Sequence, residues 1–267
     1  MLRVGIVDYL NSKPLARGLL DGYRPDLFRP SCHPPARVAR LLAAGELEIG
    51  LIPSIEVQRI PELEVLPGLC VAATHEVRSV LLISSAPLDR VARVALDENS
   101  RTSVVLVRIL LRELYDARPE YVAAAPRVGE MLDECDAALV IGDPALQVDR
   151  SRYRVLDLAA EWRRLTGLPF VFAVWAVAPG VECPDLQRHF RASLEQGLRE
   201  IDAIVEEAVA ELGLGRDELR CYLTRNLGFT LGAEERAGLE EFFARAARHG
   251  LLERVRPLRY RASGQIG

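Results

Sequence analysis

The chain has 267 residues, of which 49% are hydrophobic and 27% are charged, and its formal net charge is −4. This length permits one large domain or two small ones, and the composition excludes a disordered chain. There is no run of basic residues, which argues against nucleic acid as a partner. The longest apolar run, 170–178, is too short to cross a bilayer as a helix.

The cysteines and histidines bear on compartment and metal binding. Five cysteines are scattered without a Cys-x-x-Cys pair, and none of the four histidines lies at metal-ligand spacing. This pattern favours a reducing compartment and predicts neither a disulfide framework nor a metal site. No nucleotide-binding glycine pattern follows the first strand, so we expect no cofactor. The chain enters this strand without a secretory leader, which predicts a cytoplasmic protein.

Strands and helices alternate through the first two-thirds of the chain, as the spacing of the apolar residues indicates. The predicted strands are 3–7, 26–29, 48–52, 63–70, 77–84, 91–96, 121–123, 137–141, 154–158 and 170–178. The helices predicted between them are 12–20, 36–44, 101–115 and 128–133. The helices predicted in the last third are 185–212, 216–226 and 233–249. This order predicts an α/β protein with two lobes and a helical C-terminal part.

The pattern Asp-Tyr-Leu-Asn-x-x-Pro-Leu at 8–15 follows the first strand directly. Ser12 is a candidate N-cap, and Pro14 fits the first turn of the helix. Asn11 therefore lies between the end of a strand and the start of a helix, where ligands bind in open α/β sheets. Asn is also frequent in turns, so the pattern by itself allows a purely structural role.

A second polar segment, 99–103, also follows a predicted strand and begins the next predicted helix. Ser100 is the candidate N-cap, and the free backbone N–H groups of a helix start attract an anion. Thr102 and Ser103 add hydroxyl donors, and Arg101 adds positive charge. The alternative is a plain capped helix whose side chains are solvated.

The motif at 8–15 resembles the opening of the menaquinone-biosynthesis family of the futalosine pathway. Four later segments resemble the same family in the same order, and the five together span most of the chain. The four segments are 50–56, 96–103, 141–146 and 161–175. Within the family, the chain resembles the chorismate dehydratase branch. The sister branch, which forms dihydroxynaphthoate, carries a His-Glu pair where this chain has Gly142-Asp143.

The resemblance implies the type 2 periplasmic-binding-protein fold, in which two α/β lobes enclose a cleft. In that fold the chain crosses between the lobes twice, and the C-terminal helices pack on the first lobe. We place the crossings near 85–87 and 174–179, so the first lobe comprises 1–86 and 176–267 and the second comprises 87–175. The ligand is expected between the lobes, where strand-to-helix junctions from both sides converge.

The resemblance also implies roles for individual side chains. Asn11 and Ser79, at the opening of the predicted strand 77–84, are the candidate catalytic residues. The candidate substrate-binding residues are Ser54, Arg101, Thr102, Ser103, Gly142, Asp143, Pro169 and Phe170. For Ser54, spacing alone favours an N-cap role, and the resemblance favours a place in the cleft wall.

Two further side chains carry alternatives. Asp143 follows a strand and precedes Pro144, so capping of a helix is its more frequent role. We expect Asp143 to shape the site and not to act as the main base. His75 is the one histidine that is close in sequence to Ser79, although a histidine in such a loop is more often exposed.

The resemblance implies a hydro-lyase that converts chorismate, a small dicarboxylate, to 3-[(1-carboxyvinyl)oxy]benzoate and water. No His or Lys is matched to the task of base, so we hypothesise that a substrate carboxylate takes part in proton removal. Two alternatives stay open. One is a cytoplasmic binding protein of the same fold that captures an anion, and the other is the sister enzyme that forms dihydroxynaphthoate.

Overall fold

The computed structural model describes residues 1–262. The strands in this part of the chain are β1 (Leu2–Val7), β2 (Phe28–His33), β3 (Ile49–Pro53), β4 (Glu64–Ala73), β5 (Val80–Ser84), β6 (Arg93–Asp97), β7 (Glu120–Ala124), β8 (Ala137–Ile141), β9 (Arg154–Asp157) and β10 (Phe170–Val177). The α-helices are α1 (Lys13–Leu20), α2 (Pro35–Ala43), α3 (Glu56–Arg59), α4 (Thr102–Tyr115), α5 (Val128–Glu134), α6 (Asp143–Leu146), α7 (Leu158–Thr166), α8 (Leu186–Arg199), α9 (Ile201–Leu212), α10 (Arg216–Cys221) and α11 (Ala233–Arg248).

The strands form two mixed sheets, with the orders β2-β1-β3-β10-β4 and β7-β6-β8-β5-β9. In the first sheet β1 is parallel to β2 and β3, and β10 is antiparallel to β3 and β4. The second sheet repeats this arrangement, with β6 parallel to β7 and β8, and β5 antiparallel to β8 and β9. Parallel neighbours end at one edge, so the polar segments that follow β1, β3, β6 and β8 gather at two sheet edges.

The chain changes sheet between β4 and β5 and returns between β9 and β10. Both changes come earlier than the crossings expected near 85–87 and 174–179, so the expected boundaries move to about 74–79 and 167–169. The strands β5 and β10 are apolar and almost wholly buried, and such strands suit a central place in either sheet. Only the strand pairing decides which sheet they join. Below, lobe 1 is the first sheet with its helices and lobe 2 is the second.

One carboxylate holds the first crossing in place. Asp157, at the end of β9, accepts hydrogen bonds from the backbone N–H groups of Val77 and Arg78 at distances of 2.7 to 3.1 Å. The same carboxylate caps α7 by accepting from the N–H groups of Ala159 and Ala160. Burial raises the pKa of this carboxyl, because the charged form loses solvation. Asp157 therefore ties the crossing segment to lobe 2.

Two helices differ from the sequence prediction. The predicted helix 185–212 is divided at Glu200, whose backbone leaves the helical region with φ −97° and ψ 19°. Apolar spacing continues through this break, so the periodicity does not reveal it. No helix is predicted over α7, because its nine residues are too few to establish a clear apolar period.

The C-terminal helices pack on lobe 1, and the last of them also contacts lobe 2. Helix α8 lies against α1 and β4, and α11 lies against β10 and α4. Phe242 of α11 packs edge to face with Trp162 of α7 and Phe170 of β10. Glu113 of α4 accepts hydrogen bonds from Arg245 and His249 at the end of the chain's last helix. The helical part therefore joins the lobes as well as covering the first.

No helix within residues 1–262 is both long enough and apolar enough to span a membrane.

Helices α1 and α8 approach closely at a glycine. A Cβ atom added to Gly197 would lie 2.1 Å from the carbonyl oxygen of Pro14, which is backbone and has little freedom to move. Gly129, on the exposed face of α5, has nothing within 4 Å of the same position. Replacing each of these two helical glycines by alanine separates the effect of a steric clash on stability from the effect of helix propensity.

We expect Gly197→Ala to lower the free energy of unfolding by about 1–3 kcal/mol, because α1 and α8 must separate to admit the methyl group. Gly129→Ala is the matched control and should raise stability by roughly 0.5–1 kcal/mol, since Ala favours helix. Urea unfolding followed by circular dichroism measures both. Equal effects of the two substitutions would contradict the close helix contact.

Candidate active site

The cleft between the lobes, which is open to solvent, holds about 550 Å³ of space outside protein atoms at the facing sheet edges. Its walls come from the segments that follow β1, β2, β6 and β8, together with the end of β3 and residues of other strands. The lining residues are Val7, Tyr9, Asn11, Pro35, Leu51, Pro53, Val71, Val77, Val80, Asn99, Ser100, Arg101, Thr102, Ser103, Ile141, Gly142, Phe172 and Ala173. The strand-to-helix junctions singled out in the sequence therefore meet in one cavity.

Asn11 and Ser79 differ in their place relative to the cleft wall. Asn11 is half-buried in the 3₁₀ turn Leu10–Ser12 and lines the cleft. Ser79 is fully buried at the start of β5, where its carbonyl accepts from the N–H of Gly142 at 2.8 Å. The hydroxyl of the buried Tyr222 donates to the Ser79 hydroxyl oxygen at 2.8 Å. Ser79 therefore lies behind the cleft wall, held by this phenol, whereas Asn11 is in the wall itself.

The turn that holds Asn11 is fixed by Ser12, although not as predicted. Its hydroxyl does not cap α1 and donates instead to the carbonyl oxygens of Val7 and Tyr9. This hydroxyl closes the turn between β1 and α1. Asn11 is therefore presented by a short, internally bonded turn and not by a free loop.

The segment between β6 and α4 forms the polar wall of lobe 2. Asp97, buried at the end of β6, accepts from the N–H groups of Asn99 and Ile141 and so shapes this turn. Ser100 does not cap α4; its hydroxyl is buried and has no hydrogen-bond partner within residues 1–262. Arg101 lines the cleft and forms no ion pair within the same residues. Free donors and an unpaired positive charge make this wall suited to an anion.

Thr102 and Ser54 bring the two lobes into contact. The Thr102 hydroxyl oxygen accepts from the N–H of Ile55 at 3.2 Å and lies 3.4 Å from the Ser54 hydroxyl. Ser54 is fully buried, and its hydroxyl donates to the carbonyl oxygen of Val171 at 2.7 Å. The structure therefore places Ser54 behind the cleft wall, whereas Thr102 and Ser103 are in the wall.

A second contact between the lobes involves Gly142 and Asp143. A Cβ atom on Gly142, which has φ +67°, would lie 2.6 Å from the ring of Tyr9. Asp143 accepts from the N–H of Leu10 at 3.0 Å. Burial raises the pKa of Asp143 to about 6, because this site solvates the carboxylate poorly. Asp143 neither lines the cleft nor caps its own helix, since its carboxylate bonds the neighbouring lobe.

Two residues expected in the cleft lie in the core instead. Pro169 is buried, and its carbonyl oxygen accepts from the indole N–H of Trp162 at 3.2 Å. The Phe170 ring packs edge to face against Trp162 and Phe242. Phe172, whose ring centroid is 4.7 Å from that of Phe170, lines the cleft instead, at a register shift in the pairing of β10 with β4 between Val171 and Ala173. His75 is exposed, in agreement with the alternative for a loop histidine.

Sequence reasoning missed Tyr9, Phe172 and Tyr222. Tyr9 lies within the first motif, so the motif itself was a signal for it. The strand period of two puts Phe170 and Phe172 on one face, so it gives no signal for which of them lines the cleft. Tyr222 gives no local signal, because its contact is with a residue far away in the sequence.

The cleft wall is nearly free of groups that titrate near neutrality. Among the described residues that line it, there is no Asp, Glu, His or Lys. Tyr9 is present, but burial raises the pKa of its phenol above the usual range, so this group stays protonated. The arrangement can bind an anion and donate hydrogen bonds, and it holds no evident side-chain base.

Comparisons with known proteins agree with this architecture. The chain is 32% identical over 258 residues to the chorismate dehydratase of Thermus thermophilus, an alignment that covers 90% of this chain and 93% of the relative. A solved structure from Archaeoglobus fulgidus superposes with a TM-score of 0.77 at 17% identity, covering 94% of this chain and 98% of that one.

The periplasmic aliphatic sulphonate binding protein of Escherichia coli superposes with a TM-score of 0.66 at 17% identity, covering 100% of this chain and 95% of that one. This likeness confirms the expected periplasmic-binding-protein fold. Residues 2–248 match a family described as menaquinone biosynthesis. With a relative aligned over nearly its full length as well, the chain belongs to the menaquinone biosynthesis family.

Proposed function

We propose that this protein is a hydro-lyase that converts chorismate to 3-[(1-carboxyvinyl)oxy]benzoate and water, in a reducing, cytoplasmic compartment. The observation that carries the proposal is a cleft wall that holds Asn11 and the donor-rich start of α4, with Ser79 behind it bonded to the buried Tyr222 phenol. The identity to the Thermus thermophilus chorismate dehydratase supports the same substrate. The cysteines within residues 1–262 are free, which suits a reducing compartment.

The reaction breaks two bonds that join substituents to the substrate ring. The C–H bond at the carbon that bears the ether loses its proton, and the neighbouring C–O bond releases the hydroxyl group. The electron pair of the C–H bond forms the new ring double bond, and the proton and hydroxide leave as water. Aromatisation supplies the driving force, so the protein must bind, orient and stabilise the departing hydroxyl.

The start of α4 is suited to bind a substrate carboxylate. The Ser100 hydroxyl and the Ser103 side chain lie in the cleft wall with the first backbone N–H groups of a helix of 14 residues. Arg101 adds a guanidinium group without a carboxylate partner in the described structure. A carboxylate here would accept hydrogen bonds that no protein group now accepts, which strengthens binding in a partly desolvated site.

The composition of the wall supports a substrate-assisted removal of the proton. None of the described lining residues is an Asp, Glu, His or Lys, so the protein offers no conventional base at the cavity surface. The carboxylate of the enolpyruvyl group is carried by the substrate next to the C–H bond that breaks. We infer that this carboxylate accepts the proton, while Asn11 and Ser79 orient the substrate and donate to the leaving hydroxyl.

An anion-binding protein without catalysis is the second candidate, favoured by the likeness to a sulphonate-binding structure. Incubation of the purified protein with chorismate, followed by chromatography for an aromatic product, separates the two. We expect product formation that is linear in protein concentration. Saturable binding of chorismate without any product would overturn the enzyme and support the binding protein.

We expect Asn11→Ala and Ser79→Ala each to lower kcat by roughly 10²–10³-fold, since each removes a preorganised polar group from the reacting centre. Steady-state assays of product formation measure the loss. Ser84→Ala is the matched control, because Ser84 is a buried, hydrogen-bonded serine at the far end of the same strand. It should keep kcat within twofold. Near wild-type turnover of either cleft variant would remove that residue from the catalytic group.

We expect Arg101→Gln to raise KM by about 10–100-fold with a smaller change in kcat, since a charged hydrogen bond to a carboxylate contributes about 1.5–3 kcal/mol. Ser100→Ala removes a neutral donor and should have a smaller effect in the same direction. The control is Arg127→Gln, which alters an exposed arginine paired with Glu130 on the protein surface. An unchanged KM for both Arg101→Gln and Ser100→Ala would show that the start of α4 is an ordinary helix start with no role in binding.

Asp143 is expected to cause a pH dependence of stability. Its pKa is about 6 in the folded protein and 3.8 in an unfolded chain, so the folded state holds the proton more tightly. The contribution of Asp143 to the free energy of unfolding is therefore fully present below pH 3.8. It is lost as pH rises through 6, by at most about 3 kcal/mol. Asp143→Asn should remove that fall, because the amide does not ionise while its oxygen still accepts from Leu10.

Urea unfolding of the wild type and Asp143→Asn at a series of pH values between 4 and 8 tests this prediction. As pH rises, the free energy of unfolding of Asp143→Asn should increase relative to that of the wild type. A constant difference across the series would show that Asp143 is already ionised throughout.

A further inference from the structure

Tyr222 is fully buried, and its phenol contacts the hydroxyl of Ser79. It begins the π-helical turn Tyr222–Asn226, which continues α10. Turns of this kind are frequent at functional sites, because the extra residue re-aims the side chains of a helix. The ring itself does not line the cleft, so Tyr222 acts on the site through Ser79.

The hydrogen bond of this phenol has a defined direction. The single O–H hydrogen of Tyr222 is donated to the Ser79 hydroxyl oxygen at 2.8 Å. The Ser79 oxygen is therefore an acceptor, and its own hydrogen is left to be donated away from Tyr222.

This direction is not reversed by titration. Burial raises the pKa of Tyr222 far above the usual range, so the phenol keeps its proton at any pH at which the protein is folded. Hydrogen bonds in series polarise one another, so a Ser79 hydroxyl that accepts from Tyr222 is a stronger donor than an isolated serine. A stronger donor is what a departing hydroxyl group requires.

The helix that carries Tyr222 is fastened along the crossing segment between the lobes. Glu218 forms an ion pair with Arg78, and the side chain of Asn226 donates to the carbonyl oxygen of Glu76 at 3.1 Å. Positions 218, 222 and 226 are each four residues apart and share one helical face. This face therefore holds the crossing at Glu76 and Arg78, just before Ser79, and Tyr222 contacts Ser79 itself.

We propose that Tyr222 is a positioning residue of the proposed dehydration, which holds the Ser79 hydroxyl and makes Ser79 the hydrogen-bond donor to the departing hydroxyl. This inference rests on the proposed function. It assigns Tyr222 an effect on the rate of the chemical step and little effect on the binding of chorismate, whose carboxylate lies at the start of α4.

The test is Tyr222→Phe, which keeps the buried ring and removes only the hydroxyl. We expect kcat to fall by 10- to 100-fold and KM to stay within threefold. The shape of the pH–rate profile should not change, because the phenol does not titrate. In a double-mutant cycle, Ser79→Ala with Tyr222→Phe should be no slower than Ser79→Ala alone, because Tyr222 acts through Ser79.

Tyr115→Phe is the matched control, since it removes a phenol that donates to Glu161 at 3.0 Å at the far end of α4. It should leave kcat and KM within twofold. Asn226→Ala is a second variant that leaves the buried ring intact and loosens the crossing. We expect it to lower kcat by three- to tenfold at unchanged KM, and this decides the matter if Tyr222→Phe does not fold.

The outcomes separate the two proposals. A wild-type protein that does not turn over chorismate overturns the proposed function and this inference together. A wild type that turns over chorismate, with Tyr222→Phe at full kcat, overturns this inference alone. Losses that multiply in the double variant, or a change in KM that matches the change in kcat, also overturn it, because they indicate a general structural role.

Discussion

The arrangement of the cleft depends on how Asp157 holds the crossing between the sheets. Backbone N–H groups must find acceptors when they are buried, and the chain that leaves β4 for β5 has no strand partner at this point. Asp157 accepts from both N–H groups there and from the first N–H groups of α7. Ser79 follows directly, so its position relative to lobe 2 is set by this one carboxylate.

The positively charged and the acidic groups around the cleft are oriented differently. The wall at α4 offers hydrogen-bond donors and a positive charge, whereas the acidic groups nearby face away from the cavity. Asp97 is buried and Asp143 is half-buried, and both bond backbone N–H groups, so each shapes a turn instead of exposing its charge to the ligand. An anionic substrate therefore meets donors on the cavity surface, and the carboxylates needed to fold the turns do not repel it.

Much of the fold follows from the sequence, because strand and helix periods are local properties. The junction at Asn11 and the start of α4 follow from turn and capping residues, the two lobes from the order of strands and helices, and the type 2 periplasmic-binding-protein fold from the resemblance to a family. The expected boundaries put β5 in the first lobe and most of β10 in the second, whereas the pairing is the reverse, since both strands are apolar on both faces. Phe170 and Phe172 are two positions apart, and the register shift in β10 that accompanies Phe172 is a property of pairing, which one strand does not reveal.

Tyr222 shows more clearly what the sequence alone does not predict. Nothing in its neighbourhood distinguishes it from a core tyrosine, and its contact with Ser79 joins residues separated by 143 positions. Ser100 is the opposite case, because it was predicted as a cap and the structure leaves its hydroxyl without that role. A cap and a ligand donor use the same residue type at the same position, so only the observed geometry separates them.

The contact between Gly142 and Tyr9 also constrains how this cleft can change over evolutionary time. A side chain at position 142 would meet the Tyr9 ring and would have to adopt the φ of +67° that glycine holds there. A substitution at position 142 therefore depends on one at position 9. A smaller residue must replace Tyr9 before a side chain at position 142 can be accommodated. The path from this cleft to one with a functional group at position 142 passes through a protein that has already lost its aromatic contact between the lobes.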